Sequence, residues 1–146
     1  MAYSLVSSPL DYHRLYVLTQ PAVPKAKGVL GLYTSADQGQ TWQLAITTAS
    51  LTSGNIFFVQ PGNDTSEEIY IYLPDLGASG LKVSKDAGRN FTHTGTLPFG
   101  SIAGLLAIPG APGQLLAYGN GGMARSTNSG ATWQIIKGIT SGAVKG

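Results

Sequence analysis

One eight-residue pattern, Ser-x-Asp/Asn-x-Gly-x-Thr/Asn-Trp/Phe, occurs three times along the 146 residues and constrains the fold more than any other feature. The copies run Ser35, Ala36, Asp37, Gln38, Gly39, Gln40, Thr41, Trp42; then Ser84, Lys85, Asp86, Ala87, Gly88, Arg89, Asn90, Phe91; then Ser126, Thr127, Asn128, Ser129, Gly130, Ala131, Thr132, Trp133. Their serines are 84 − 35 = 49 and 126 − 84 = 42 residues apart. Self-similarity at such a period marks stacked copies of one supersecondary unit, each needing neighbours to cover its apolar faces.

The same order of strand signals surrounds each copy. A glycine four residues ahead of each serine (Gly31, Gly80, Gly122) opens a strand-like triplet, and upstream of it lie Leu15 to Leu18, Ile69 to Leu73 and Leu115 to Tyr118. Earlier still come Leu5 to Ser8, Ile56 to Gln60 and Leu105 to Ile108, each stopped by Pro9, Pro61 or Pro109, because proline has no N–H for a ladder. A fourth strand starts at Trp42, Phe91 and Trp133. With Gly-, Pro-, Asn- and Ser-rich turns between them and no 3.6-residue periodicity of helical length, the expected fold is all-β: three four-stranded antiparallel units. The units span about 4–48, 55–97 and 103–139, with a tail at 140–146.

Within each copy the Asp or Asn falls at a hairpin turn, where its side-chain oxygen can accept backbone N–H bonds. The glycine two residues on is expected at positive φ. The final aromatic is expected to fold under the hairpin, where strands three and four meet the next unit. Ser35, Asp37, Gly39 and Trp42, with Ser84, Asp86, Gly88, Phe91, Ser126, Asn128, Gly130 and Trp133, thus read as architectural. An amide at Asn128 retains the acceptor oxygen but cannot ionise or shuttle a proton, which argues against catalysis or calcium binding by this position.

Composition narrows the function classes. Hydrophobic residues at 42% provide for a core, and charged residues at 11% are under half the usual share, which leaves much surface for packing. Nine Lys/Arg against seven Asp/Glu, without a clustered run, lack the concentrated cationic stripe that nucleic-acid binding requires. With no cysteine there is no disulfide, thiolate nucleophile or thiolate metal site. No apolar stretch approaches a membrane span, and Met1, Ala2, Tyr3, Ser4 lack a signal-peptide pattern.

The three copies make the chain resemble the Asp-box, or BNR, repeat family of β-propellers, which includes sialidases, xyloglucan-type glycoside hydrolases, sortilin-like receptors and photosystem assembly factors. The resemblance implies a propeller of three blades, with any ligand on the face opposite the boxes, and is compatible with a secreted or extracytoplasmic location. Propellers close with about four to eight blades. Three blades leave one bare sheet face at each end, and joining two such arcs head to tail would give a closed six-bladed homodimer.

A sialidase-like site resembles three arginines around a carboxylate, but Arg89 lies inside a box and Arg125 directly before one, leaving Arg14. Glycosidases need two carboxyl groups about 5 to 9.5 Å apart. Asp11, Asp64, Glu67 and Glu68 fall on turns at the box side, with Glu67 and Glu68 read as a solvated loop edge, and Asp75 alone belongs to the opposite face. His13 and His93 lack ligand partners at metal spacing, and Tyr16, Tyr70 and Tyr72 read as core. The expectation is a non-catalytic scaffold or binding module without metal or cofactor, partnered by itself and by a glycan or protein held near Lys25, Lys27, Asp75 and Asn120. Its alternative is part of a carbohydrate-active glycoside hydrolase.

Overall fold

The computed structural model describes residues 2–19, 31–48, 51 and 55–136. Twelve strands form three four-stranded antiparallel sheets, each paired in sequence order. The first holds β1 (Ala2–Ser8), β2 (Asp11–Thr19), β3 (Gly31–Ser35) and β4 (Gln43–Thr47). The second holds β5 (Phe58–Pro61), β6 (Ile69–Tyr72), β7 (Leu81–Ser84) and β8 (Thr92–His93). The third holds β9 (Gly104–Ala107), β10 (Leu115–Gly119), β11 (Gly122–Ser126) and β12 (Gln134–Ile135). Pro61 is the last residue of β5, opposite Ile69, rather than the residue beyond the strand; a strand end is where a missing N–H is tolerated.

The sheets stack as blades. β5 lies against β1 on one side and β9 on the other, so the first strands converge and the fourth strands form the rim. Alternation along β6 explains the stack: Ile69 and Ile71 join Tyr16, Leu18 and Leu32 of the first blade, whereas Tyr70 and Tyr72 join Leu105, Leu115, Ala117 and Ala124 of the third. A strand covered on both faces needs apolar residues at successive positions, and Ile-Tyr-Ile-Tyr is wholly buried. Burial of each such side chain stabilises by about 1.5 to 3 kcal/mol.

The box aromatics pack in the direction opposite to the expectation. Phe91 of the second blade packs on the core shared with the first, and Trp133 of the third on the core shared with the second, so each reaches the preceding blade. Trp42, whose blade has no predecessor among the described residues, stays 37% exposed. The link between β6 and β7 contains a short 3₁₀ segment, Pro74–Ser79, interrupted by Gly77 at φ 57.

Candidate functional site

The boxes share one hydrogen-bonded frame. In each, the serine Oγ accepts the N–H of the Asx residue (3.3, 3.2 and 3.3 Å) and of the glycine (2.9, 2.8 and 2.8 Å). The same hydroxyl donates to the Asx Oδ1, which also accepts the N–H of Thr41, Asn90 or Thr132 at 2.9 Å. The glycines Gly39, Gly88 and Gly130 have φ of 90, 91 and 87°, and the residue before each, Gln38, Ala87 or Ser129, is also left-handed. Sequence reasoning had no means of finding that second left-handed position, since none of the three is glycine or asparagine.

The third box inverts one bond. Thr41 Oγ1 donates to Asp37 Oδ2 at 2.6 Å and Asn90 Nδ2 to Asp86 Oδ2 at 2.7 Å, whereas Asn128 Nδ2 donates to Thr132 Oγ1 at 2.8 Å. Trp42 and Trp133 close their turns by donating Nε1 to the carbonyls of Gly39 and Gly130. Hydrogen bonds from Thr41 and Ser35 hold the Asp37 carboxyl at about 2. At Asp86 desolvation pushes upward, but bonds from Asn90 and Ser84 prevail and also give about 2.

These depressed values set a pH dependence. An unfolded aspartate titrates near 3.9, so between about 2 and 4 the unfolded chain binds more protons. The stability from Asp37 and Asp86 is full above that window and lost as pH falls through it. The expected outcome for the double variant Asp37→Asn, Asp86→Asn is a flatter decline in urea midpoint between about pH 4 and 2. An undiminished decline would show that other carboxylates carry the acid sensitivity.

Two sheet faces lack a neighbour among the described residues. On the first blade, Leu5, Val17, Tyr33 and Leu44 form a cross-strand row, with Leu5 64% and Leu44 52% exposed. The equivalent positions Val59 and Ile71 in the second blade, and Leu105, Ala117 and Ala124 in the third, are buried against the preceding blade. At the other end, Leu106, Leu116, Tyr118 and Met123 share the outward face of the third blade.

Of the residues singled out for a ligand, Lys25 and Lys27 lie outside the described residues, as do the tail and much of the segments 20–30 and 49–54. Asp75 is exposed in the 3₁₀ segment, and Asn120 is exposed at the turn joining β10 and β11. Among the described residues no cluster of His, Asp and Glu is suited to a metal, and no helix is long and apolar enough to cross a membrane.

The box side departs from its expected character at Glu68. Glu67 is exposed, but Glu68 is buried at 1% exposure. Lys85 donates to Glu68 Oε2 at 2.5 Å, and the N–H groups of Asn63 and Asp64 donate to its Oε1. A buried carboxylate persists only with such partners, and Lys85 comes from the box of the same blade. Asn63 is also buried and ties the second blade to the third: its Nδ2 lies 2.8, 2.9 and 3.1 Å from the carbonyls of Ile108, Ala111 and Gln114, and its Oδ1 accepts the Gly113 N–H at 3.2 Å. The signal available in the sequence was the length of the turn carrying Asn63, longer than the equivalent turn in the first unit.

Between the first two blades, also on the box side, Arg14, Thr34, Ala36, Thr41, Gln43 and Arg89 line a cleft of about 270 Å³. Arg14 Nη1 donates to Thr34 Oγ1 at 3.0 Å, and Arg89 Nη2 to Gln43 Oε1 at 2.9 Å. The sequence separated these arginines by a whole blade; the seam brings them to one cleft.

Comparison with known proteins gives the architecture a context. The family described as BNR/Asp-box repeat matches residues 33–44. The GH74 enzyme of Niastella koreensis is similar over 96% of this chain and 23% of its own, at 22% identity and a TM-score of 0.65. The GH74 xyloglucanase from Xanthomonas campestris matches 95% of this chain and 24% of its own, at 15% identity and 0.66. YCF48 bound to D1 peptide matches 94% of this chain and 46% of its own, at 18% identity and 0.59. The chain therefore spans about a quarter of these two GH74 chains and under half of YCF48. A search of curated protein sequences finds no match.

Proposed function

We propose, from a chain that carries the Asp-box repeat on blades of propeller type, a non-catalytic scaffold that closes its ring with a second copy and holds a peptide or glycan opposite the boxes. The observation that carries this reading is Leu5, 64% exposed on the first blade beside the half-buried Val17 and Tyr33, where its counterparts Val59 and Leu105 in the other two are each 6% exposed. The outward face of the third blade carries Leu116, Tyr118 and Met123 at the positions where the first two blades bury Tyr16, Leu18 and Leu32, or Tyr70, Tyr72 and Leu81, against their successors. Head-to-tail pairing of two arcs covers both ends with twofold symmetry. A peptide on such a scaffold has a parallel in YCF48 bound to D1 peptide.

The carboxylates favour binding over hydrolysis. Asp37 and Asp86 are committed to turns, and Glu68 to Lys85 and two backbone N–H groups. The second reading, part of a glycoside hydrolase, draws on the two GH74 neighbours. Turnover of xyloglucan that Asp75→Asn abolishes would establish it in place of the scaffold.

Light scattering of the full chain tests ring closure. The expected mass is twice 15.2 kDa. Leu5→Glu with Leu44→Glu is expected to weaken pairing at least about 100-fold while leaving the far-ultraviolet dichroism unchanged. A folded monomer at micromolar concentration overturns the proposal.

A further inference from the structure

The cleft at the seam of the first two blades has a chemical character that the architecture does not require. Five of its six lining residues come from the first blade; the sixth, Arg89, comes from the box of the second. Strand parity places Arg14, Tyr16 and Leu18 on the face turned toward the second blade, and Thr34 and Gln43 continue that face across the sheet. The two guanidiniums thus reach one cleft from opposite sides, amid two threonines and a glutamine.

The repeat supplies its own control. At the seam between the second and third blades, register puts Glu68 where Arg14 stands, Val83 for Thr34 and Thr92 for Gln43, and box alignment puts Ala131 for Arg89. That seam forms without a cation at either arginine position, and the carboxylate it has there is neutralised by Lys85. Two arginines are therefore not a condition of blade stacking. Among the described residues no carboxylate lies within 4 Å of either guanidinium, the ion pairs being His13 with Asp11 and Lys85 with Asp64 and Glu68.

Asp11 acts on Arg14 only through space and Asp37 sits one hydrogen bond behind Thr41, so neither pairs with a guanidinium. Like charges on one cleft repel each other, and a bound anion reverses that cost. Arginine offers five N–H donors in a planar fork suited to tetrahedral and carboxylate oxygens; Thr34 and Gln43 each take one bond and orient the forks. The Thr41 hydroxyl donates to Asp37, which fixes it at the rim of the cleft. From these observations we infer that Arg14 and Arg89 form an inter-blade site for a small doubly charged tetrahedral oxyanion, phosphate or sulfate, free or as a monoester. The site lies on the box side and does not rest on ring closure or on a ligand at the opposite face.

The test is a titration of the full chain with inorganic phosphate, and separately with inorganic sulfate, followed by backbone and arginine side-chain NMR at constant ionic strength with chloride as reference. Saturable shifts are expected at Arg14, Thr34, Thr41, Gln43 and Arg89. Arg14→Gln and Arg89→Gln are each expected to weaken binding about tenfold or more. A sugar phosphate monoester that competes with phosphate would identify the esterified group as ligand, and one that does not would restrict the site to the free ion. The inference is overturned if no saturable shift develops up to about 10 mM phosphate, an affinity too weak to count as a site. Shifts centred elsewhere, unchanged affinity in both variants, or acetate binding as tightly as phosphate overturn it as well. Mapping on the unaltered chain decides the matter even if a variant fails to fold.

Discussion

Asn63→Asp is expected to destabilise the protein more than Asn63→Ala, although aspartate is the closer match in shape. The Asn63 amide donates toward three carbonyls of the third blade and accepts one N–H from it, all through a side chain only 3% exposed. Alanine leaves those groups without their partner, at a cost of about 3 kcal/mol. Aspartate keeps the acceptor but turns its second oxygen, with a buried charge, toward the carbonyls, and the expected loss is about 4 kcal/mol or more at pH 7. Urea denaturation at pH 7 and near pH 4 measures both. The deficit of the aspartate variant should shrink at the lower pH, where protonation restores one donor. A smaller loss for aspartate than for alanine would mean that the amide nitrogen is not what holds the blades together.

Gly95→Ala acts on the same seam through backbone alone. Gly95 donates its N–H to the Gly130 carbonyl at 2.7 Å, and a Cβ there would stand 1.9 Å from the carbonyl oxygen of Ala131 and 2.6 Å from its carbon. Main-chain atoms inside a hydrogen-bonded box have nowhere to retreat, so the third blade must move away. The expected loss is about 3 kcal/mol or more. Gly100→Ala is the control, because a Cβ there meets nothing within 4 Å, and its effect should stay within about 0.5 kcal/mol. Equal thermal midpoints for the two variants would show that the close approach at Gly95 relaxes freely.

The strands and boxes were legible because their signals are local: a proline, a glycine, an alternating run, an Asx at a turn. What failed was the relation between units. The aromatics of the boxes pack on the preceding blade because the stack has a direction, and periodicity within a strand carries none. Glu68 read as solvated because its charge was visible and its partner, Lys85, belonged to another motif. The sequence puts Arg89 on the box side but leaves Arg14 free of it, and only stacking reveals that both meet in one cleft there. Asn63 looked like any turn residue until its reach across the seam was known.

The fourth strands have a bearing on how this protein avoids uncontrolled growth. β8 and β12 are two residues long, and the longer β4 pairs with β3 through an irregular register between Leu32 and Tyr33. A stranger's backbone therefore finds few consecutive rungs on the outer perimeter from which to extend a ladder. Backbone pairing is thereby discouraged along the outer perimeter, which leaves side-chain packing on the flat faces of the first and third blades as the means by which another surface could be held.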